Sequence, residues 1–256
     1  MRFKRLLDNL RRQDWVAVGI EFVIVVAGVF LGMQVSNWNE ARAENERGRA
    51  YLERIHADLE TDVAAMDNRL RFIAQVQRYT HAALAYGEHG QLADGSAWKT
   101  ALAYYQASQL YPNVEIDATW REMTSAGDLR LIHNETINGE LAVYYTASGD
   151  GVLSRLFNMI PAYRDTIRGR TPSEIQSYIW SRCYRELPNL DQALTDCPSP
   201  VSEAQARDVL REITSDPQVL RDLRSWYAQM TVVTVASEAQ RGRAVTLAHQ
   251  VESALR

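Results

Sequence analysis

The stretch Trp15–Glu40, WVAVGIEFVIVVAGVFLGMQVSNWNE, decides how this chain is read. From Val16 to Val35 only Glu21 and Gln34 interrupt an apolar run. About 20 residues rising 1.5 Å each cover the roughly 30 Å of a bilayer's hydrocarbon core. Trp15 and Trp38 stand at its two ends, where amphipathic rings prefer the headgroup level. A buried helix of a soluble domain carries a shorter run, of roughly 10–14 residues. A cleaved signal peptide has a shorter apolar core and a small-x-small cleavage site after it. Here Asn37-Trp38-Asn39-Glu40 leads straight into a helical pattern instead. The expectation is an uncleaved signal-anchor: one transmembrane helix over residues 15–37, with the rest of the chain hung from it.

The flanks set the orientation. Arg2, Lys4, Arg5, Arg11 and Arg12 precede the run and are opposed only by Asp8 and Asp14. After it, Arg42, Arg47 and Arg49 alternate with Glu40, Glu44 and Glu46. Positive charge is retained in the cytoplasm. Residues 1–14 therefore read as a cytoplasmic basic tail and residues 38–256 as an extracytoplasmic domain.

Inside the run, Gly28 and Gly32 form a Gly-x-x-x-Gly pair that lets a second helix backbone approach. Glu21 lies seven residues before Gly28, within about 20° of the same face at 100° per residue. Glu21, Val25, Gly28 and Gly32 thus make one stripe, a candidate helix-packing face in the membrane. An acidic group there calls for a donor on a partner, or for a reach to the cytoplasmic interface. Gln34, Asn37, Trp38 and Asn39 mark the outer membrane boundary, as Trp15 marks the inner one.

The run IEFVIVVAGVFLGMQVSNWNEAR resembles the N-terminal signature of an uncharacterised family of bacterial single-span membrane proteins. Glu21, Val25, Val26, Gly28, Val29, Leu31, Gly32, Gln34, Asn37, Trp38, Asn39 and Glu40 fall on its positions. Ser125 to Ile132, followed by Tyr144-Tyr145, resembles a looser stretch of that family's soluble domain. The resemblance covers about the first 150 residues. It implies a bacterial inner-membrane location with the main domain in the periplasm, and no assigned activity.

The domain after the span has about 220 residues, enough for one sizeable core. The net charge of −4 is interspersed, so a nucleic-acid partner is not suggested. Two cysteines, Cys183 and Cys197, flank a turn-rich loop containing Pro188, Asn189 and Asp196. Outside the cytoplasm a disulfide between them is permitted. The alternative is two free thiols, one buried on a helix over Tyr178–Arg185. No histidine neighbours them in sequence, which disfavours a metal site.

Helical spacing dominates the remainder. From Trp38 to about Tyr86 there is no proline, and Leu52, Ile55, Leu59, Val63, Met66, Leu70 and Ile73 recur in steps of three and four. That is an amphipathic helix with a coiled-coil-like interval, continuing the span outward. Gly48 is a possible bend, and Gly87 to Gly95 breaks the pattern. Further helices are expected from Ser96 to about Leu110, Asp117 to Ser125, Glu135 to about Ala147, Val152 to Arg168 with a break at Pro161, Ser173 to about Glu186, and Ser202 to about Ile213. A last long helix opens at Pro217 and carries Val219, Leu223, Trp226, Met230, Val233 and Ala236 on one stripe. It is long enough to lie antiparallel to the first. No strand is expected. The fold class is all-α: one transmembrane helix continuing into a mainly helical extracytoplasmic bundle.

No catalytic constellation stands out. The histidines His56, His81, His89, His133 and His249 show no metal spacing, and no nucleophile-elbow, P-loop or dinucleotide motif occurs. Asp58 and Asp62 read as a solvated helix face. The dense aromatics, Trp98, Tyr104, Tyr105, Tyr111 and Trp120 among them, read as core rather than as a ligand pocket. No cofactor, metal or catalytic residue is expected. The functional expectation is a non-enzymatic, membrane-anchored interaction or accessory protein. Its partners would be membrane lipid and either itself or the subunits of a larger inner-membrane complex. The alternative is a periplasmic sensor or small-ligand-binding module.

Overall fold

Helix accounts for 81% of the described residues and strand for 3%, so the protein is mainly all-α. The structure is a computed structural model that describes residues 15–111, 116–148, 152–188 and 191–256. The basic tail, Trp15's side chain, Pro112, Asn189 and the Gly149–Gly151 turn lie outside what is described. By contacts the chain divides at Tyr51–Leu52 into two compact units. The first holds the apolar run, the second the bundle.

Helix α1 is continuous over Trp15–His89, through Gly48 and Gly87. Gly48 is therefore no bend in secondary structure, and the helix outlasts the break expected at Gly87. Gly87 is needed for close approach instead. A Cβ there would lie 2.8 Å from Leu220 Cδ1 and 2.9 Å from the Tyr104 hydroxyl.

A left-handed turn over Gly90 to Gly95 leads into α2, Ala97–Gln106. Ser96 caps it by accepting from the Lys99 amide. The helix stops four residues earlier than expected, and the loop after it is fastened by Trp226 Nε1 donating to Ala107 O at 2.8 Å. Helix α3 (Ala118–Ser125) ends at Gly127, whose φ is +72°. Helix α4 (Glu135–Ser148) is capped by Asn134, which accepts from the Ile137 amide. The helical stretch expected over Val152–Arg168 with a break at Pro161 is two helices, α5 (Val152–Phe157) and α6 (Ala162–Arg170), parted before Pro161. Helix α7 (Ser173–Arg182) ends before Cys183. Ser202 and Gln205 form a capping box at the start of α8 (Glu203–Thr214). Asp216 caps α9 (Pro217–Leu255), which passes through Gly242 without a break.

The bundle unit is built on α9 running antiparallel to the part of α1 beyond Leu52. Glu88 pairs with Arg224 (2.8 Å), Gln77 with Thr234 (3.3 Å) and Asp67 with Arg241 (2.6 Å), one sequence climbing as the other falls. Helix α2 lies in the largest core cluster, against α6, α7 and α8, with Tyr104, Tyr105, Tyr163, Ile167, Leu210 and Trp226 buried together. These aromatics fill core. Helix α4 packs on α9, and α5 covers both α4 and α9.

Two strands that the sequence did not suggest follow α7. β1 (Tyr184–Glu186) and β2 (Gln192–Leu194) pair antiparallel, with Tyr184 opposite Leu194. At three residues each they are too short to leave a period-2 signal. Residues 184–186, expected to extend the preceding helix, form β1.

Candidate functional site

From Gly19 onward the apolar run on α1 is uncovered. None of its most hydrophobic window is buried within the chain. Val25 is 63% exposed and Trp38 64%, with Phe22, Ile24, Val29, Phe30 and Leu31 similarly open. Glu21, Gln34, Asn37 and Asn39 are exposed too. A Cβ added at Gly28 or Gly32 would meet nothing within 4 Å. Among the described residues, one helix is therefore long and apolar enough to cross a membrane, with the Glu21–Val25–Gly28–Gly32 stripe open along it. A contiguous apolar surface of this kind marks a lipid or protein interface.

The cysteines are brought together. Cys183 and Cys197 are joined by a disulfide, with Cα atoms 5.3 Å apart. It closes the β1–β2 ribbon onto the bundle. Gln106 Nε2 donates to Cys183 O at 2.8 Å and Trp98 Nε1 to Cys197 O at 2.9 Å, so α2 grips both ends. From α1, Gln75 Oε1 accepts from the Leu194 amide (2.8 Å) and Arg71 pairs with Asp191 (3.0 Å).

A polar cluster that the sequence reading did not single out lies inside the bundle. The buried face of α1 takes Ile55, Leu59, Asp62, Met66, Arg69, Ile73, Val76, Thr80 and Ala83, alternating steps of four and three. Val63 and Leu70, expected in that seam, are only half-buried. Asp62 and Arg69 hold the inner positions. Asp62 is 7% exposed, so the expected solvated Asp58–Asp62 face is corrected: half of it is core.

Tyr144 on α4 donates its hydroxyl to Asp62 Oδ2 at 2.8 Å. Tyr145 packs edge-on against Tyr144 and stacks on Trp120 at 5.3 Å. The Tyr145 hydroxyl and Asp58 Oδ2 are buried without a hydrogen bond. Burial raises the Asp62 pKa to about 7; Tyr144's bond opposes the shift, and Asp58 and Asp117 add to it. Burial also raises both tyrosines. Such a carboxyl exchanges a proton near neutrality.

Arg69 sits 4.3 Å from the Phe157 ring centroid and 5.9 Å from that of Tyr111. Burial lowers its pKa to about 10, which leaves it charged at neutral pH. Nearby, Arg164 donates to Ser108 O at 2.6 Å, and Arg168 lies 5.0 Å from the Tyr105 centroid. These cations hold the end of α2 by hydrogen bonds and ring faces.

Among the described residues, no group of three or more His, Cys, Asp or Glu side chains is placed to hold a metal ion. Comparison of the chain with protein-family models, with curated proteins and with solved structures finds no match.

Proposed function

We propose that this chain is a non-enzymatic, membrane-anchored interaction protein. One observation carries the reading: an apolar helical run of spanning length that nothing among the described residues covers. In water, burying such a surface gains roughly 25 cal/mol per Å², so it drives the run into lipid or against another helix. The resemblance to a bacterial single-span family supports an inner-membrane location, and the basic tail supports a cytoplasmic N-terminus and a periplasmic domain. The disulfide fits an oxidising compartment.

Within the membrane, the Glu21–Val25–Gly28–Gly32 stripe serves as the helix-packing face. The bundle docks on another copy or on a larger membrane complex, to which the chain would be an accessory subunit. Three measurements on the full-length protein test this. Alkaline carbonate extraction is expected to leave the chain in the membrane pellet, and a C-terminal reporter is expected to be active only in the periplasm. Release by carbonate overturns the anchor; cytoplasmic reporter activity overturns the orientation. Gly28→Leu with Gly32→Leu is expected to reduce the mass of the detergent-solubilised assembly, and an unchanged mass removes the helix-packing face.

A further inference from the structure

Helix α9 carries two apolar faces. One is buried and includes Val219, Leu223, Met230 and Val233. The other is exposed and runs Ala228, Val232, Val235, Ala239, Gly242, Thr246, in alternating steps of four and three. Val232 and Val235 are 56% and 61% exposed. The later part of this face forms one wall of an open groove, and Gly139 and Val143 of α4 form the other. A Cβ on Gly139 or Gly242 would meet nothing within 4 Å, so the groove is open at both glycines.

Alternating steps of three and four along an exposed face are the seam of a two-helix coiled coil. The residues beside the seam identify the partner. Glu238 flanks it on one side, just before Ala239, and Arg243 on the other, just after Gly242. They are five apart. At that separation, in a parallel pair, the flank of one helix faces the opposite flank of its mate. A twofold axis forms this Glu–Arg pair twice. In an antiparallel pair each flank would face its own kind. Among the described residues, neither Glu238 nor Arg243 has an ion pair within its own chain.

We infer that a second copy of this chain docks here, α9 against α9 in parallel, with Glu238 of each copy meeting Arg243 of the other. The inference deepens the interaction reading above by naming a second copy as the partner, and it rests on that reading for the protein's associating at all. Two copies anchored in one membrane also enter it in the same sense.

The test uses the full-length protein in its membrane, with Val235→Cys and Thr246→Cys introduced separately. The two native cysteines are bonded to each other and leave the new thiol as the reporter. Mild oxidation is expected to yield a self-linked dimer at both positions, as a parallel seam requires. In the Val235→Cys background, Glu238→Arg or Arg243→Glu alone is expected to cut the dimer yield about tenfold, because two attractive pairs become repulsive. Glu238→Arg with Arg243→Glu together is expected to restore it. No dimer at either position, a dimer at one position only, indifference to the charge changes, or linkage to a different protein each overturns the inference. Carbonate extraction of the same samples separates the two ideas. A chain retained in the membrane without dimer loses only the pairing. A chain released from the membrane loses the anchor, while its dimer yield still decides the pairing.

Discussion

Asp62 occupies a seam position of α1 whose neighbours at 55, 59 and 66 are apolar. Its carboxyl ordinarily titrates near 3.8 and here titrates at about 7. The folded state therefore binds this proton more tightly than the unfolded state does. Asp62's contribution to stability is fully present below about pH 4, declines as the pH rises to about 7, and is flat above. The charged groups facing it are Asp58 on its own helix and Asp117 before α3; Tyr144 and Tyr145 face it from α4, and the neutral amide of Gln240 meets Tyr144 from α9. The stability difference across this pH range is on the order of 4 kcal/mol. Asp62→Asn keeps an acceptor for Tyr144 and cannot ionise. Urea unfolding of this variant is expected to show higher stability than the parent at pH 8, with the two converging toward pH 4. Parallel pH curves would contradict the assignment. Gly87→Val inserts carbons where Leu220 and Tyr104 already stand, and is expected to cost about 1–3 kcal/mol by the same measurement. Neither site was legible beforehand. Asp58 and Asp62 at i, i+4 read equally well as a wetted face, and Tyr144, which fixes the choice, is 82 residues away. Gly87 read as a helix breaker because the side chains that crowd it come from α2 and α9.

At the scale of elements, local signals served where local chemistry decides. Ser96, Asn134, Ser202 and Asp216 each cap the helix that follows them, since a cap is a bond across three or so residues. Pro161 divides α5 from α6 for the same reason. The β1–β2 ribbon escaped because its strands are held from outside, by Gln75 on α1 and by the disulfide. Closing a loop of this size contributes about 3 kcal/mol. Cys183→Ser with Cys197→Ser, or reduction of the native protein, is expected to lower unfolding stability by roughly that amount. Equal unfolding midpoints with and without reductant would show that the ribbon does not depend on the bond. Helix α9 presents a third case. Its buried stripe was legible, but its second apolar face emerged only when the bundle left Val232 and Val235 uncovered.

The whole molecule joins an uncovered apolar helix to a bundle with a buried core, and each half follows from a different pattern in the sequence. The long apolar run was legible from composition alone, and it is one continuous helix with none of its most apolar window buried. The bundle's long antiparallel pair was legible from the two uninterrupted helical stretches. The groove between α4 and α9 was not, since it depends on where α4 comes to rest against α9. The central claim is that the run from about Val16 to Val35 lies in a bilayer and carries the bundle outside the cytoplasm. Thiol accessibility tests it most directly. Phe30→Cys and Arg42→Cys are placed singly in the full-length chain, in cells whose inner membrane is intact and whose outer membrane is permeable. A charged, membrane-impermeant maleimide is then added. The thiol at position 42 is expected to react and the thiol at position 30 to stay protected until the membrane is dissolved. Equal rapid labelling at both positions would place the run in water and contradict the account.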